Sequence, residues 1–174
     1  MGGVGAWTLK KLISLILFAL SMLMVPSSQA SFIGESLDMD LPGEMANAGK
    51  EGKGLVVMFH YSGCPFCDKM RQRVFPDPAV VAYYSQHFVL LETNIRGDLE
   101  MVAPNGEGMS EKQWAHKMRI RATPVFLFFD AEGKERLKLT GYQAPNVFIQ
   151  AGRYVQEKGW EKGSFVRWLR QSGS

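Results

Sequence analysis

The tightest constraint in this sequence is a pair of thiols at a junction. Cys64 and Cys67 are the only two cysteines in 174 residues, and they lie within His60-Tyr61-Ser62-Gly63-Cys64-Pro65-Phe66-Cys67-Asp68. The apolar run Leu55–Phe59 precedes them and reads as a buried strand. Pro65 follows, suited to a first helical position where its missing N–H costs nothing. The dithiol therefore sits where a strand feeds a helix. A helix N-terminus carries unpaired N–H groups and partial positive charge, so a thiol placed there ionises more readily.

The first thirty residues have a different character. Lys10-Lys11 precede an apolar stretch from Leu12 to Val25, which is short for a membrane span. Pro26-Ser27-Ser28-Gln29-Ala30 ends with small residues at −3 and −1 relative to a cut after Ala30. Residues 1–30 are thus expected to be a secretory signal peptide, with an uncleaved anchor as the alternative. Without them the chain holds 18 basic and 17 acidic residues and no basic block, which argues against a nucleic-acid partner. Export, expected to be to a periplasm, places the two cysteines in an oxidising compartment.

A structural staple between them is a poor account, because closing so short a loop removes little entropy from the unfolded chain. Redox cycling explains the spacing better. Half a zinc site would need two further ligands, and His60, His87 and His116 show no paired spacing. No metal and no cofactor is expected. The ten methionines could offer soft copper ligands, but packing accounts for most of them.

Along the remaining chain, residues 31–54 are expected to form an extension holding a short helix from Pro42 to Lys50. The domain proper is expected over 55–174. The helix after the cysteines should run to about Val74, and Pro78 should open a second piece through Gln86. Phe88–Ile95 reads as a strand. Residues 96–110 are polar and glycine-rich and are expected as an inserted loop. Ser110 and Gln113 have the spacing of a capping box for a helix ending near Met118. Val125–Phe129 is a third strand, Gly133 a hairpin turn with positive φ, and Arg136–Thr140 a fourth strand. Asn146 is expected to cap a helix carrying Phe148, Ala151 and Tyr154, with an amphipathic segment from Trp160 to Arg170 closing the chain. Strands alternating with helices before a closing hairpin predict an α/β sandwich with a mixed sheet.

With these residues in place the chain resembles the thioredoxin-fold family. The likeness rests on strand–CxxC–helix, on the distant Thr123-Pro124 opening a strand, and on the hairpin and Gly141 that follow. It is most like secreted thioredoxin-related proteins of the SoxW type, which share a Gly-Cys-Pro-aromatic-Cys core and a Thr-Pro-x-Phe-x-Phe-Phe-Asp stretch. The resemblance implies a mixed sheet of about four to five strands flanked by helices. It makes Cys64 an exposed nucleophile and Cys67 the buried resolving thiol. Pro124 would be the family's cis-proline, with Thr123 offering backbone hydrogen bonds to a substrate peptide beside Pro65 and Phe66. Gly63 stands where thioredoxin has tryptophan and should leave Cys64 more open. The acidic residue found six before the first cysteine in many relatives is Met58 here. Asp68 is expected to be a solvated helix residue, and His60 a partly buried histidine satisfied locally.

The resemblance implies a thiol–disulfide oxidoreductase acting on disulfide or dithiol proteins, fed by a membrane thiol donor and acting as a reductant. A Dsb-like oxidase or isomerase and a dithiol copper chaperone are the alternatives. A monomer is expected, and no dimerisation domain is visible before residue 55, which argues against a V-shaped dimeric isomerase.

Overall fold

The computed structural model describes residues 32–34, 36 and 38–172; the expected signal peptide lies outside the described residues. Helix α1 spans Leu41–Lys50, strand β1 Gly54–His60, α2 Pro65–Arg73, α3 Pro78–His87 and β2 Phe88–Asn94. Two short strands follow, β3 (Glu100–Val102) and β4 (Gly108–Ser110), then α4 (Glu111–Lys117), β5 (Val125–Phe129) and β6 (Glu135–Thr140). Helix α5 (Pro145–Gln156), a 3₁₀ turn at Gly159–Glu161 and α6 (Phe165–Gln171) complete the fold.

The main sheet has the order β2-β1-β5-β6. β1 and β2 are parallel, with Met58 beside Glu92; β1–β5 and β5–β6 are antiparallel. This is the mixed α/β sandwich expected from the strand and helix order. β1 and β5 are central and buried on both faces, which is why both read as unbroken apolar runs.

Side chains alternate across the sheet and build a core on each side. On one face Val56, Met58, Phe126 and Phe128 pack with Met70 and Val74 of α2, Tyr84 of α3 and Phe148 of α5. The Tyr84 and Phe148 rings stack with centroids 4.4 Å apart, and the Tyr84 hydroxyl donates to the Phe148 carbonyl at 2.6 Å. On the other face Leu55, Val57, Phe59, Leu127 and Phe129 pack with Leu41 and Met45 of α1 and Trp114 of α4. Residues 31–54 thus contribute a helix to the same packed unit as the rest of the described chain.

Two local expectations are corrected. Residues 96–110 are not a plain loop: β3 and β4 pair in a small hairpin that buries Met101 and Met109 against the second face. The glycines there mark its turn and flank rather than a lack of structure. Asn146 does not cap α5. Ala144 is the residue before the helix and Pro145 opens it, because proline at the first turn fixes φ and lacks only an N–H that would have no helical partner anyway. The Ser110–Gln113 capping box forms in both directions, and Gly133 adopts φ 74° in the β5–β6 turn.

Because β1 and β2 are parallel and β5 and β6 alternate in direction, four segments meet at one end of the sheet. These are the loop after β1, the loop after β2, the start of β5 and the end of β6.

Candidate active site

At that end β1 stops at His60 and the chain turns through Ser62 and Gly63 into α2. Gly63 has φ 83°, a left-handed conformation that glycine adopts without a Cβ clash. The turn closes with the Cys64 N–H donating to the Tyr61 carbonyl at 3.2 Å. Cys64 is the N-cap of α2 and Pro65 its first helical residue. Three residues of helix bring Cys67 back beneath Cys64, with Cα atoms 5.3 Å apart, and a disulfide joins them. The Cys67 N–H donates to Cys64 Sγ at 3.2 Å. Cys64 sulfur therefore receives one of the N–H groups a helix start leaves unpaired, and when reduced it lies at the positive end of the helix dipole.

The start of β5 supplies the facing wall. The Thr123–Pro124 peptide bond is cis, and the Thr123 hydroxyl lies 3.1 Å from Cys64 Sγ. In the disulfide state that hydroxyl is the only possible donor of the two. The Pro124 carbonyl accepts from the Gly141 N–H at 2.7 Å, which ties the end of β6 to the same wall. The structure thus brings Cys64, Cys67, Pro65, Thr123 and Pro124 together, with Phe66 projecting beside them at 57% exposure.

One expectation about this group fails. Cys64 is not exposed: it is 1% accessible, and Cys67 is 0% accessible. The Thr123 hydroxyl and the Cys67 amide both lie against the Cys64 sulfur and occupy surface that Gly63 was expected to leave open. Gly63 itself is exposed, and a Cβ there would meet nothing within 4 Å.

The charged groups near the dithiol follow a pattern that no local motif signals. Met58 is fully buried, and the residue beside it on β2 is Glu92. Arg71, one turn beyond Cys67 on α2, reaches both Glu92 oxygens, Nε at 3.0 and 3.2 Å and Nη2 at 2.5 Å. Its Nη1 donates to Asp68 at 3.0 Å. The hydrogen bond to Glu92, against the opposing effect of burial, holds the Arg71 guanidinium above its usual range. His60 Nε2 stands 3.8 Å from Glu92. Asp68, expected as a solvated helix residue, is instead paired with Arg71, while His60 is partly buried beside Glu92 as expected, and Glu92 is the residue the sequence did not flag. A parallel strand pairing 34 positions away in the chain is what sets it beside Met58.

The other end of β5 carries a separate cavity of about 290 Å³, lined by Trp114, Lys117, Phe129 and Glu135 among others. Among the described residues no group of three or more His, Cys, Asp or Glu side chains is placed to hold a metal ion, and no helix is long and apolar enough to cross a membrane.

Comparison with known proteins gives a consistent picture. A family described as a thioredoxin-like domain matches residues 41–156. The thiol:disulfide interchange protein DsbD 2 of Pseudomonas aeruginosa is 24% identical over 135 residues, covering 76% of this chain and 21% of that protein. The chain therefore spans about a fifth of that relative's length. A thioredoxin from Thermus thermophilus superposes with a TM-score of 0.53 at 27% identity, covering 70% of this chain and 87% of that one. A thioredoxin-fold protein from Helicobacter pylori superposes with a TM-score of 0.61 at 17% identity, covering 84% and 89%, and shares the fold.

Proposed function

We propose that this chain, which belongs to the thioredoxin-like domain family, is a thiol–disulfide oxidoreductase whose redox centre is Cys64–Cys67. The observation that carries this reading is the position of Cys64: capping α2, bonded to Cys67, with the Thr123 hydroxyl 3.1 Å from its sulfur.

The reaction runs in two exchanges. The Cys64 thiolate attacks one sulfur of a substrate disulfide. A mixed disulfide forms, the substrate S–S bond breaks, and the departing substrate sulfur takes a proton. Cys67 then loses its proton and attacks Cys64. The Cys64–Cys67 bond forms and the second substrate thiol leaves. Two electrons have passed to the substrate, and an external thiol donor must return them. Helix start, Cys67 amide and Thr123 hydroxyl all favour the Cys64 thiolate over the thiol. With Met58 in the buried strand position, the Cys67 proton must go to water or to another group. Thr123 and Pro124 present backbone to the substrate, and Pro65 and Phe66 form its apolar floor.

Within this reading the protein is exported to the periplasm on residues 1–30, acts as a reductant of the SoxW type and draws on a membrane thiol donor. The name of the Pseudomonas relative, a thiol:disulfide interchange protein, supports the exchange chemistry itself. An oxidase or isomerase is the competing direction, and the exposed Pro65-Phe66 dipeptide is compatible with it. The reduction potential decides: a value near about −270 mV supports the reductant, and one near about −120 mV the oxidase.

The central test is mutational. Cys64→Ser should abolish insulin reduction by the dithiothreitol-fed protein. Cys67→Ser should accumulate a mixed disulfide with a disulfide substrate, visible as a thiol-sensitive mass shift. Full turnover by Cys64→Ser would remove Cys64 from the mechanism. Tight Cu(I) binding with no turnover in the wild type would replace the enzyme by a metal carrier.

A further inference from the structure

Two cations flank the dithiol with no ion pair of their own among the described residues. The Arg96 guanidinium, just past β2, lies over the Tyr61 ring at 4.3 Å. The Lys69 ammonium, on α2, lies over the Tyr142 ring at 4.1 Å. Tyr61 closes the turn that presents Cys64, and Tyr142 follows Gly141, which is bonded to Pro124. The two pairs therefore bracket the sulfur, one from the β1–β2 side and one from the β6 side.

Among the described residues neither Arg96 nor Lys69 forms an ion pair. The acids closest to α2 are engaged elsewhere, since Asp68 and Glu92 both accept from Arg71. Exposed Arg121, two residues before Thr123, adds a third cation at this end, and Arg96 is followed in the chain by exposed Asp98 and Glu100, neither of which is paired with it. Phe66, between Pro65 and Cys67 and 57% exposed, offers an apolar contact next to the dithiol. Resting a cation on an aromatic face holds it in place without neutralising it, so its charge stays available to a visitor.

We propose that this rim docks a protein segment whose disulfide is flanked by Asp or Glu side chains. Phe66 packs on the apolar part of the segment, while Arg96 and Lys69 take carboxylates on either side of the scissile bond. The proposal rests on the exchange reading above and names its substrate class. Complementary charge of this kind acts mainly on the encounter rate and on the rejection of wrong partners.

The test uses two synthetic peptides with the same intramolecular disulfide loop, one flanked by Asp and Glu and one by Lys. Each is reduced by the wild-type protein, and the uncharged disulfide 2,2′-dithiodipyridine serves as control. The acidic peptide should react on the order of tenfold faster at low salt. That preference should collapse in about 0.5 M NaCl, where the screening length falls to a few ångströms. The paired substitution Lys69→Gln with Arg96→Gln should bring the acidic-to-basic rate ratio towards one. Equal rates on the two peptides, a ratio that ignores salt, or a ratio the substitutions leave intact overturns the docking proposal. Binding of the rim to vesicles of anionic lipid in place of any peptide preference overturns it as well. No reaction of the wild type even with 2,2′-dithiodipyridine sinks the exchange reading, and the proposal with it.

Discussion

Thr123 is the residue whose hydroxyl lies against the Cys64 sulfur. Its hydroxyl donates to the Cys64 sulfur from 3.1 Å in the disulfide, and in the proposed reaction it would donate to the thiolate after reduction. Hydrogen bonds to charged groups contribute about 1.5–3 kcal/mol, and this one favours the ionised form. Thr123→Val keeps the shape and removes the donor, so the thiolate should become harder to form. The midpoint of the pH–rate profile for iodoacetamide alkylation of the reduced protein should rise by about one unit, since one unit corresponds to about 1.4 kcal/mol. Thr123→Ser should restore the wild-type midpoint. An unchanged midpoint in Thr123→Val would show that the Cys67 amide and the helix start do this work without Thr123. The same hydroxyl lies against Cys64, whose sulfur is buried.

At the scale of an element, the β5–β6 turn keeps the Thr123 end of β5 and the Gly141 end of β6 in register. Asp130 organises this turn. Its Oδ1 accepts from the Glu132 and Lys134 N–H groups at 3.0 and 2.9 Å, and its Oδ2 from Arg136 Nε at 2.5 Å. Burial works against its charge, but the Lys134 N–H and Arg136 together hold its pKa below the usual carboxylate value. A carboxylate whose folded pKa is depressed stabilises the fold above its unfolded pKa, near 3.9, and loses that contribution as the pH falls through the folded value. Asp130→Asn should therefore cost about 1–3 kcal/mol at neutral pH. In urea titrations the gap between the two proteins should hold steady above about pH 5 and narrow below about pH 4. A gap independent of pH would assign the turn's stability to backbone geometry alone. The Ser110–Gln113 box plays a similar local part, ending β4 and starting the helix that seats Trp114 on Phe59 with ring centroids 4.6 Å apart.

Across the whole molecule, the sheet is held between two cores, and the dithiol lies at the end of one of them. Cys67, Met70 and Val74 on α2 share that core with Tyr84 and Phe148. The Tyr84 hydroxyl, buried among rings and bonded to the Phe148 carbonyl, joins α3 to α5 across 64 positions of sequence. Burial pushes the Tyr84 phenol well above its ordinary pKa, so it stays a neutral donor at any working pH. Tyr84→Phe should cost about 1 kcal/mol. That corresponds to about 2–4 °C in Tm for a chain of this size, measurable by calorimetry. Reduction kinetics at the dithiol should not change, because the bond lies among the helices and not at the end of the sheet where the cysteines meet Thr123.

Sequence alone determined the parts of this protein that depend on near neighbours in the chain. The double-sided apolar runs of β1 and β5, the proline starting α2, the capping box at Ser110 and the turn at Gly133 are all short-range patterns, each expressing a local backbone preference. The Cys64–Cys67 spacing belongs with them, because one turn of helix is enough to bring those two sulfurs together. Contacts between distant segments were decided by the tertiary structure. Parallel pairing sets Glu92 beside Met58 and so captures Arg71. Glu111, which from sequence is simply a first-turn acid, reaches back to accept from Thr93 and the Asn94 amide at the end of β2. The burial of Cys64 under Thr123, 59 positions away, and the seating of Arg96 and Lys69 on tyrosines from other elements have the same origin. Periodicity reports which way a side chain faces along its own strand or helix. What it meets there depends on how strands order and helices stack, and that is settled by burying both faces of one sheet at once.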